Sequence, residues 1–410
     1  MAMKMIPARK PPSGTTGPVG WLRANLFNSA GNSVLSVVLA LVLVWLGFSL
    51  LRWILTGANW AQVWTNLRLL AVYLYPVDLL WRPLSVVALI MALLGLSAGA
   101  SRGREDGDIS RGVFWSFAGL VFFLTVLALF NWESVRLWWV LASVSALGGY
   151  GLGAARPQLA RYLGWLWGAA LVLGSVLLYG VAGTGELRVV PTRIWGGFML
   201  SLILAAVGIV VSFPLGVALA LGRRSKLPAI KYFCIGFIEL IRGAPLISWL
   251  FIASLMVPLL LDVSPDSIPS LTRALVAITL FSSAYMAENV RGGLQAIGKG
   301  QAEAARALGL SAWQSTRLIV LPQALRAVIP AIVGQAIGLF KDTSLVFIVG
   351  LFDFFEIGRR VVPNQPASLQ VPGGIILEMS LFMALVYWFF CYRMSVASRQ
   401  LEKQLGVGER

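Results

Sequence analysis

The sequence predicts an all-α membrane protein with about ten transmembrane helices. Of its 410 residues, 58% are hydrophobic and only 12% are charged, and the mean hydropathy is +0.81. Soluble domains carry about 25% charged residues, so this composition is typical of a chain that lies largely in lipid. Several apolar stretches also reach the roughly 20 residues that a helix needs to cross a bilayer.

The first apolar stretch, 33–56, follows a polar and basic N-terminal segment. It is too long for the core of a signal peptide and no small-residue cleavage pattern follows it, so we expect an uncleaved span. With ten spans both termini lie on one side, and the positive-inside rule places them in the cytoplasm, because most Lys and Arg then fall in inner segments. The predicted spans are 33–56, 83–100, 112–131, 137–154, 162–182, 195–222, 243–261, 270–290, 327–350 and 375–393.

Charge and composition also exclude several functions. The net charge of +16 is compatible with nucleic-acid binding, but basic cytoplasmic loops explain it as well, so we expect no nucleic-acid partner. The chain has no histidine, and Cys234 and Cys391 lack the spacing of metal ligands. We therefore predict neither a metal site nor a catalytic constellation.

The chain divides into an N-terminal membrane part (1–190), a second part (191–402) and a short cytoplasmic tail (403–410). The first part holds five predicted spans with short loops and many tryptophans. The second part holds five spans, a long polar inner segment (291–326) and charged residues within its spans. Because ionisable groups inside a membrane are costly and usually functional, we expect the functional residues in the second part.

Two short motifs resemble known sites without meeting their requirements. The run 293–300 has the glycines and the lysine of a phosphate-binding loop, but Gly300 stands where the loop needs Ser or Thr, and a membrane helix precedes it. The run 147–151 contains the Gly-Tyr-Gly of a potassium filter without the preceding Thr-Val. Close helix packing through small residues is the better interpretation of the second run.

The polar inner segment has a well-defined local pattern. Good helix formers occupy 301–308, Gly309 is suited to a left-handed helix cap, and Ser311 with Gln314 predicts a capping box that begins a second helix. Pro322 is expected to break or kink that helix. A short helix with small residues suits a groove on a partner protein, and an ordinary amphipathic connector is the alternative.

This segment resembles the signature loop of binding-protein-dependent ABC importer permeases, which reads Glu-Ala-Ala, three residues, Gly, nine residues, Ile, one residue, Leu-Pro. The matching positions are Glu303, Ala304, Ala305, Gly309, Ile319, Leu321 and Pro322. In that family the loop forms a coupling helix that docks in a cleft of the ATPase subunit. The resemblance therefore implies an ATPase-coupling role for Glu303, Ala304, Ala305, Leu308 and Gly309.

Neighbouring segments resemble the histidine/glutamine/arginine branch of polar amino-acid permeases. They are 239–246, 284–293, 341–345 and 398–402. The five-span N-terminal extension is similar to that of the larger permease of broad-specificity L-amino-acid transporters and their glutamate/glutamine/aspartate/asparagine relatives. The resemblance implies a type I ABC importer core of five helices plus a five-helix extension. Ala244 and Asn289 depart from the common Thr and Ile of the branch.

The resemblance also implies the partners. The chain would be a non-catalytic subunit of an ATP-driven importer in the bacterial inner membrane, without a cofactor of its own. ATP and Mg²⁺ would bind to a dimer of partner ATPase subunits. The other implied partners are a second related permease, with a heterodimer preferred to a homodimer, a periplasmic amino-acid-binding protein and membrane lipid.

The charged residues in the spans form two predicted groups. Lys341, Asp342, Thr343 and Ser344 supply a cation, an anion and hydroxyls within about one helical turn, as an amino-acid zwitterion requires. In the alternative interpretation, Lys341 and Asp342 pair with residues of other helices, such as Glu288, and only hold the bundle together. The second group is expected nearer the inner surface as a gating or structural network, and its members are Glu239, Arg242, Glu288 and Arg291.

Two other classes of transporter remain as alternatives. A secondary, ion-coupled transporter usually shows internal repeats, and the two halves of this chain show no self-similarity. An ion channel needs a filter or a ring of charges, which the run 147–151 does not supply.

Overall fold

The computed structural model describes residues 17–101, 136–181, 185–264 and 267–404, together with positions 111, 112, 114, 115, 117–119, 121, 122, 125 and 183. Residues 1–60 and 61–410 form two compact units. The first unit contains helices α1 (Gly17–Asn25) and α2 (Ala30–Arg52), and a π-helical turn extends α2 to Gly57. Helix α2 has 23 residues, most of them apolar, as expected for a helix that crosses a bilayer.

The described residues of the rest of the chain are mostly helical. Its α-helices are α3 (Trp60–Thr65), α4 (Leu67–Val72), α5 (Trp81–Ala100), α6 (Arg136–Ala155), α7 (Leu163–Tyr179), α8 (Gly197–Gly222), α9 (Pro228–Arg242), α10 (Leu246–Phe251), α11 (Val257–Leu260), α12 (Ser270–Ala296), α13 (Lys299–Ala307), α14 (Ala312–Gln314), α15 (Leu321–Asp342), α16 (Phe354–Glu356), α17 (Pro366–Leu369) and α18 (Ile376–Gln404).

Eight helical runs in the described part of the chain are long and apolar enough to cross a bilayer, and the number is nine if one bent pair counts as a span. This confirms the predicted all-α membrane class. The predicted span 112–131 falls mostly outside the described residues.

The bent pair corrects the predicted span 243–261. That span is only the second arm, since α9 precedes it and the two arms meet at an angle of 102°. The break lies at Gly243–Pro245, where proline cannot donate the hydrogen bond that would continue the helix.

In the N-terminal part, α5 and α6 pack at very short range through glycines. A Cβ on Gly149 would lie 2.1 Å from the carbonyl oxygen of Ala92, and one on Gly99 would lie 2.2 Å from that of Tyr150. The structure therefore confirms helix packing as the role of Gly149, whereas Gly151 has no neighbour within 4 Å of an added Cβ.

In the second part, α12 packs against both α8 and α15. Of the predicted break or kink at Pro322, the break does not occur, because the helical run that contains α15 begins at Ala312 and extends to Val349. Pro322 lies in the first turn of α15, directly after a π-helical turn at Ser315–Val320. Pro322 therefore lies inside a continuous helical run, and the π-helical turn before it interrupts the regular α-helical hydrogen bonds without ending the run.

A small extended element connects the N-terminal part to the core. The two-residue strand β1 (Phe352–Asp353) lies parallel to Gly196 and Gly197, and Tyr73 forms an antiparallel bridge with Trp195.

Candidate functional site

The short helix α13 ends as the sequence predicts. Gly309 has φ +79°, its N–H donates to Arg306 O at 2.9 Å, and the N–H of Leu310 donates to Ala305 O at 3.1 Å. These two bonds form a Schellman motif, which requires a left-handed residue at the position of Gly309. The next helix starts at Ser311 with a complete capping box to Gln314.

The structure separates the predicted coupling residues into two groups. Glu303, Ala304, Leu308 and Gly309 are exposed, whereas Ala305 is 1% exposed. Helix α13 packs against the π-helical turn at Ser315–Val320. Ala305 is therefore in a position to let α13 pack closely, and it does not present its side chain to a partner in this conformation.

Two exposed side chains beside α13 escaped the sequence analysis. Trp313 and Leu318 are each 62% exposed, and Leu308 is 80% exposed. Large apolar side chains exposed together on a polar connecting segment are typical of an interaction surface. The signal available in the sequence was a tryptophan between the capping residues Ser311 and Gln314.

The predicted network of Glu239, Arg242, Glu288 and Arg291 is brought together around Glu288. The Nε of Arg291 donates to Glu288 Oε1 at 2.8 Å, and Arg242 Nη1 lies 3.6 Å from Glu288 Oε2. The structure adds Arg223, whose Nη1 lies 3.5 Å from Glu288 Oε2 and 3.1 Å from Glu239 Oε1. The carboxylate of Glu288 thus faces three guanidinium groups.

This cluster joins the ends of two helices to the side of a third. Arg223 follows the last residue of α8, Arg242 is the last residue of α9, and Glu288 lies on α12. Arg242 is at the corner of the bent pair and its guanidinium lies 5.3 Å from the ring centroid of Tyr285. A charge cluster at such a corner can hold one arrangement of the helices and release it when the contacts break.

The four predicted substrate-pathway residues lie where α15 changes into a 3₁₀ helix, Thr343–Val349. Lys341 is exposed, and Asp342 and Ser344 are partly buried. Thr343 is fully buried and its hydroxyl donates to Phe340 O at 2.9 Å, so in this conformation it does not share a surface with Lys341.

The alternative pairing of Lys341 with Glu288 is not formed. The recorded ion-pair partners of Glu288 are Arg223, Arg242 and Arg291. In the described part of the chain, no carboxylate lies within salt-bridge distance of Lys341.

A buried polar cluster beside this segment also escaped the sequence analysis. Asp353 is fully buried and caps α16 by accepting from the N–H groups of Phe355 at 3.2 Å and Glu356 at 3.0 Å. The hydroxyl of Tyr387 donates to Asp353 Oδ2 at 3.4 Å and also interacts with Thr343. Burial raises the pKa of Asp353 to about 6, because the charged carboxylate loses its hydration.

Comparison with known proteins identifies the family. Residues 212–407 match the family described as binding-protein-dependent transport system inner membrane component. The inner membrane amino-acid ABC transporter permease protein YhdY of Escherichia coli (strain K12) is 50% identical over 232 residues, which cover 57% of this chain and 61% of that relative. The glutamate/aspartate import permease protein GltK of Escherichia coli O6:H1 is 34% identical over 212 residues, 51% of this chain and 91% of the relative.

A third relative is similar along nearly the whole chain. The glutamate/glutamine/aspartate/asparagine transport system permease protein BztC of Rhodobacter capsulatus is 35% identical over 442 residues, covering 98% of this chain and 97% of its own length. The similarity thus includes the N-terminal part. All three relatives are named permeases, and none supports the ion-coupled alternative. The chain belongs to the family of binding-protein-dependent transport system inner membrane components.

Proposed function

We propose that this chain is the transmembrane permease subunit of an ATP-driven, binding-protein-dependent importer of polar L-amino acids. It would lie in a bacterial inner membrane with both termini in the cytoplasm. The relative aligned along nearly its whole length is named for glutamate, glutamine, aspartate and asparagine, so these are the first substrates to test.

The observation that carries this proposal is the geometry of α13. A nine-residue helix has its C-terminal end fixed by a Schellman motif and by the capping box directly after it, while Glu303, Ala304 and Leu308 remain exposed. A rigid, exposed short helix suits a cleft on another protein, here a partner ATPase. The exposed Trp313 and Leu318 would extend that contact.

The contacts of α13 provide a route from the ATPase to the membrane helices. Ala305 is the buried residue of α13, and Gln323 Nε2 of α15 donates to Gln301 Oε1 of α13 at 3.3 Å. When ATP and Mg²⁺ close the ATPase dimer, displacement of α13 would therefore also displace α15, which carries Lys341. ATP can favour the second state of the pore only if the closed ATPase binds that state more tightly.

The substrate pathway would include Lys341, Asp342 and Ser344. Lys341 would bind the α-carboxylate and Asp342 the α-ammonium group, since opposite charges at this spacing complement a zwitterion. Thr343 would stabilise the segment through the hydrogen bond from its hydroxyl to Phe340 O. The cluster around Glu288 would act as a gate that holds α8, α9 and α12 together in one of the two states.

The chain would perform no catalysis, and its assembly would contain two ATPase subunits, a related second permease and a periplasmic binding protein. The heterodimer is preferred because the similarity to a larger permease with an extension implies a smaller partner.

Reconstitution tests the proposal directly. The native complex, purified through a tag on this chain, is placed in proteoliposomes with ATP inside or absent, and uptake of the four amino acids is measured with the binding protein present. We expect uptake only with ATP. Uptake driven by a sodium or proton gradient without ATP would refute the ATP-coupled mechanism.

A further inference from the structure

The N-terminal part and the core meet at Tyr73, which has an uncommon backbone conformation. Tyr73 follows α4 with φ +56° and ψ −124°, a region that residues other than glycine rarely adopt. Such a conformation persists only where surrounding contacts enforce it, and it often marks a functional position.

Those contacts come from two segments of the core. The backbone of Tyr73 pairs with Trp195, and its ring stacks on Phe352 with centroids 5.2 Å apart and planes 27° apart. Gly196 lies between them, because an added Cβ there would be 2.5 Å from Phe352 O and 2.6 Å from Tyr73 Cβ. Any larger residue at Gly196 would separate Tyr73 from β1.

The end of α7 and the segment after it are attached to residues that closely follow Tyr73. The hydroxyl of Tyr75 donates to Leu178 O at 2.8 Å. Arg82, which is 0% exposed, donates through Nε to Glu186 O at 3.1 Å and through Nη2 to Arg188 O at 2.9 Å. Buried bonds of this kind fix the chain that leads into α8, so Tyr73 has little freedom to move away from Phe352.

From Phe352 a continuous series of contacts leads to the segment that carries Lys341. Asp353, the next residue, accepts from Tyr387, and the Tyr387 ring lies 5.2 Å from that of Phe340. Phe340 directly precedes Lys341 and accepts the bond from Thr343. A shift of β1 would therefore be transmitted through Tyr387 and Phe340 to residues 341–344.

We propose that Tyr73 is a positioning residue for the substrate pathway, acting from the N-terminal part through Phe352 on residues 341–344. This inference rests on the proposed function, because it assumes that those residues meet the substrate. It assigns to the N-terminal part a contribution to substrate affinity.

The test uses Tyr73→Ala, which removes the ring, Tyr73→Leu, which keeps apolar bulk, and Tyr73→Phe, which keeps the stacking. Tyr162→Ala removes an exposed ring elsewhere in the N-terminal part and serves as the matched control. We expect the apparent KM for the best transported of L-glutamate, L-glutamine, L-aspartate and L-asparagine to rise about three- to tenfold in the Ala and Leu variants. The maximal rate per assembled complex, the Phe variant and the control should stay at the wild-type value.

A double variant with Phe352→Ala tests the route. If Tyr73 acts through Phe352, adding Tyr73→Ala to Phe352→Ala should raise the KM no further. Unchanged KM in both the Ala and Leu variants, additive effects in the double variant, or a defect confined to assembly would each overturn the proposal.

Hydrogen exchange of the purified complex provides a readout that needs no transport. Tyr73→Ala should increase exchange in peptides covering 341–355 and leave those covering α13 unchanged. Unaltered exchange in 341–355 would overturn the inference even if the wild-type complex imports amino acids. Absence of amino-acid import with increased exchange would instead contradict only the proposed function.

Discussion

The carbonyl oxygen of Ala305 accepts a hydrogen bond from the N–H of Leu310 at 3.1 Å, across the end of α13. This bond reverses the chain within two residues and places the start of the next helix beside α13. It forms only because Gly309, between them, adopts φ +79°. The shape of the coupling segment thus depends on one glycine.

Gly309→Val should uncouple ATP hydrolysis from transport. No atom lies within 4 Å of a Cβ at this position, so the cost is conformational and not steric crowding by neighbours. A left-handed conformation costs an L-residue about 1–2 kcal/mol, and more for a β-branched one. We expect substrate-stimulated ATPase activity of the reconstituted complex to fall at least several-fold, with Gly300→Val at an exposed position as the control. Wild-type stimulation in Gly309→Val would refute the coupling role of this segment.

The sequence predicts features that depend on neighbouring residues and misses those that depend on distant ones. The helix end at Gly309 and the capping box at Ser311 follow from residues within a few positions of each other, and both are confirmed. Ser201 Oγ accepts from Phe354 N at 3.3 Å although the two residues are 153 positions apart, and no local pattern announces that contact. Arg223 joins the Glu288 cluster for the same reason.

The first arm of the bent pair, α9, is absent from the predicted spans for a different reason. Helix α9 is amphipathic, carries Lys231, Glu239 and Arg242, and has 15 residues, fewer than the roughly 20 that a helix needs to cross a bilayer. The predicted span 243–261 therefore begins at the break between the two arms, 243–245.

Glu288→Gln should weaken the state of the pore that the structure shows. The carboxylate is the common partner of Arg223, Arg242 and Arg291, and without it three cations face one another. A change of about 1.4 kcal/mol in the balance of two states alters their ratio tenfold. We expect basal ATP hydrolysis without binding protein to rise several-fold while uptake falls.

Glu239→Gln, whose side chain is 56% exposed, is the matched control and should change both activities less. If Glu288→Gln only lowered the yield of complex, the cluster would be structural and not a gate.

Asp353 should make the stability of the core depend on pH. Its pKa in the folded protein, about 6, lies above the ordinary 3.8, so folding favours the protonated form. The stabilisation is therefore complete below pH 3.8 and is lost as the pH rises through about 6. Two pKa units correspond to about 3 kcal/mol.

We expect the melting temperature of the wild-type complex to fall between about pH 4 and 7 more than that of Asp353→Asn, which cannot ionise. Asp262→Asn, at an exposed position, is the control and should retain the wild-type profile. Parallel profiles for wild type and Asp353→Asn would show that this carboxyl does not titrate in that range.

Lys341→Ala should weaken capture of the substrate carboxylate. Lys341 is exposed at the end of α15, and the structure records no carboxylate within salt-bridge distance of it among the described residues, so its ammonium group is available to a ligand. A hydrogen bond to a charged group contributes about 1.5–3 kcal/mol, and we therefore expect uptake at subsaturating substrate to fall on the order of 10-fold or more. Lys341→Arg should retain part of the affinity because it keeps the charge, and the exposed Lys226→Ala is the matched control.

Thr343→Val should mainly lower stability, since its hydroxyl is already bonded to Phe340 O. Initial rates in proteoliposomes, normalised to assembled complex, separate these effects. An unchanged apparent KM in Lys341→Ala would remove residues 341–344 from the substrate site and leave the partner permease as its location.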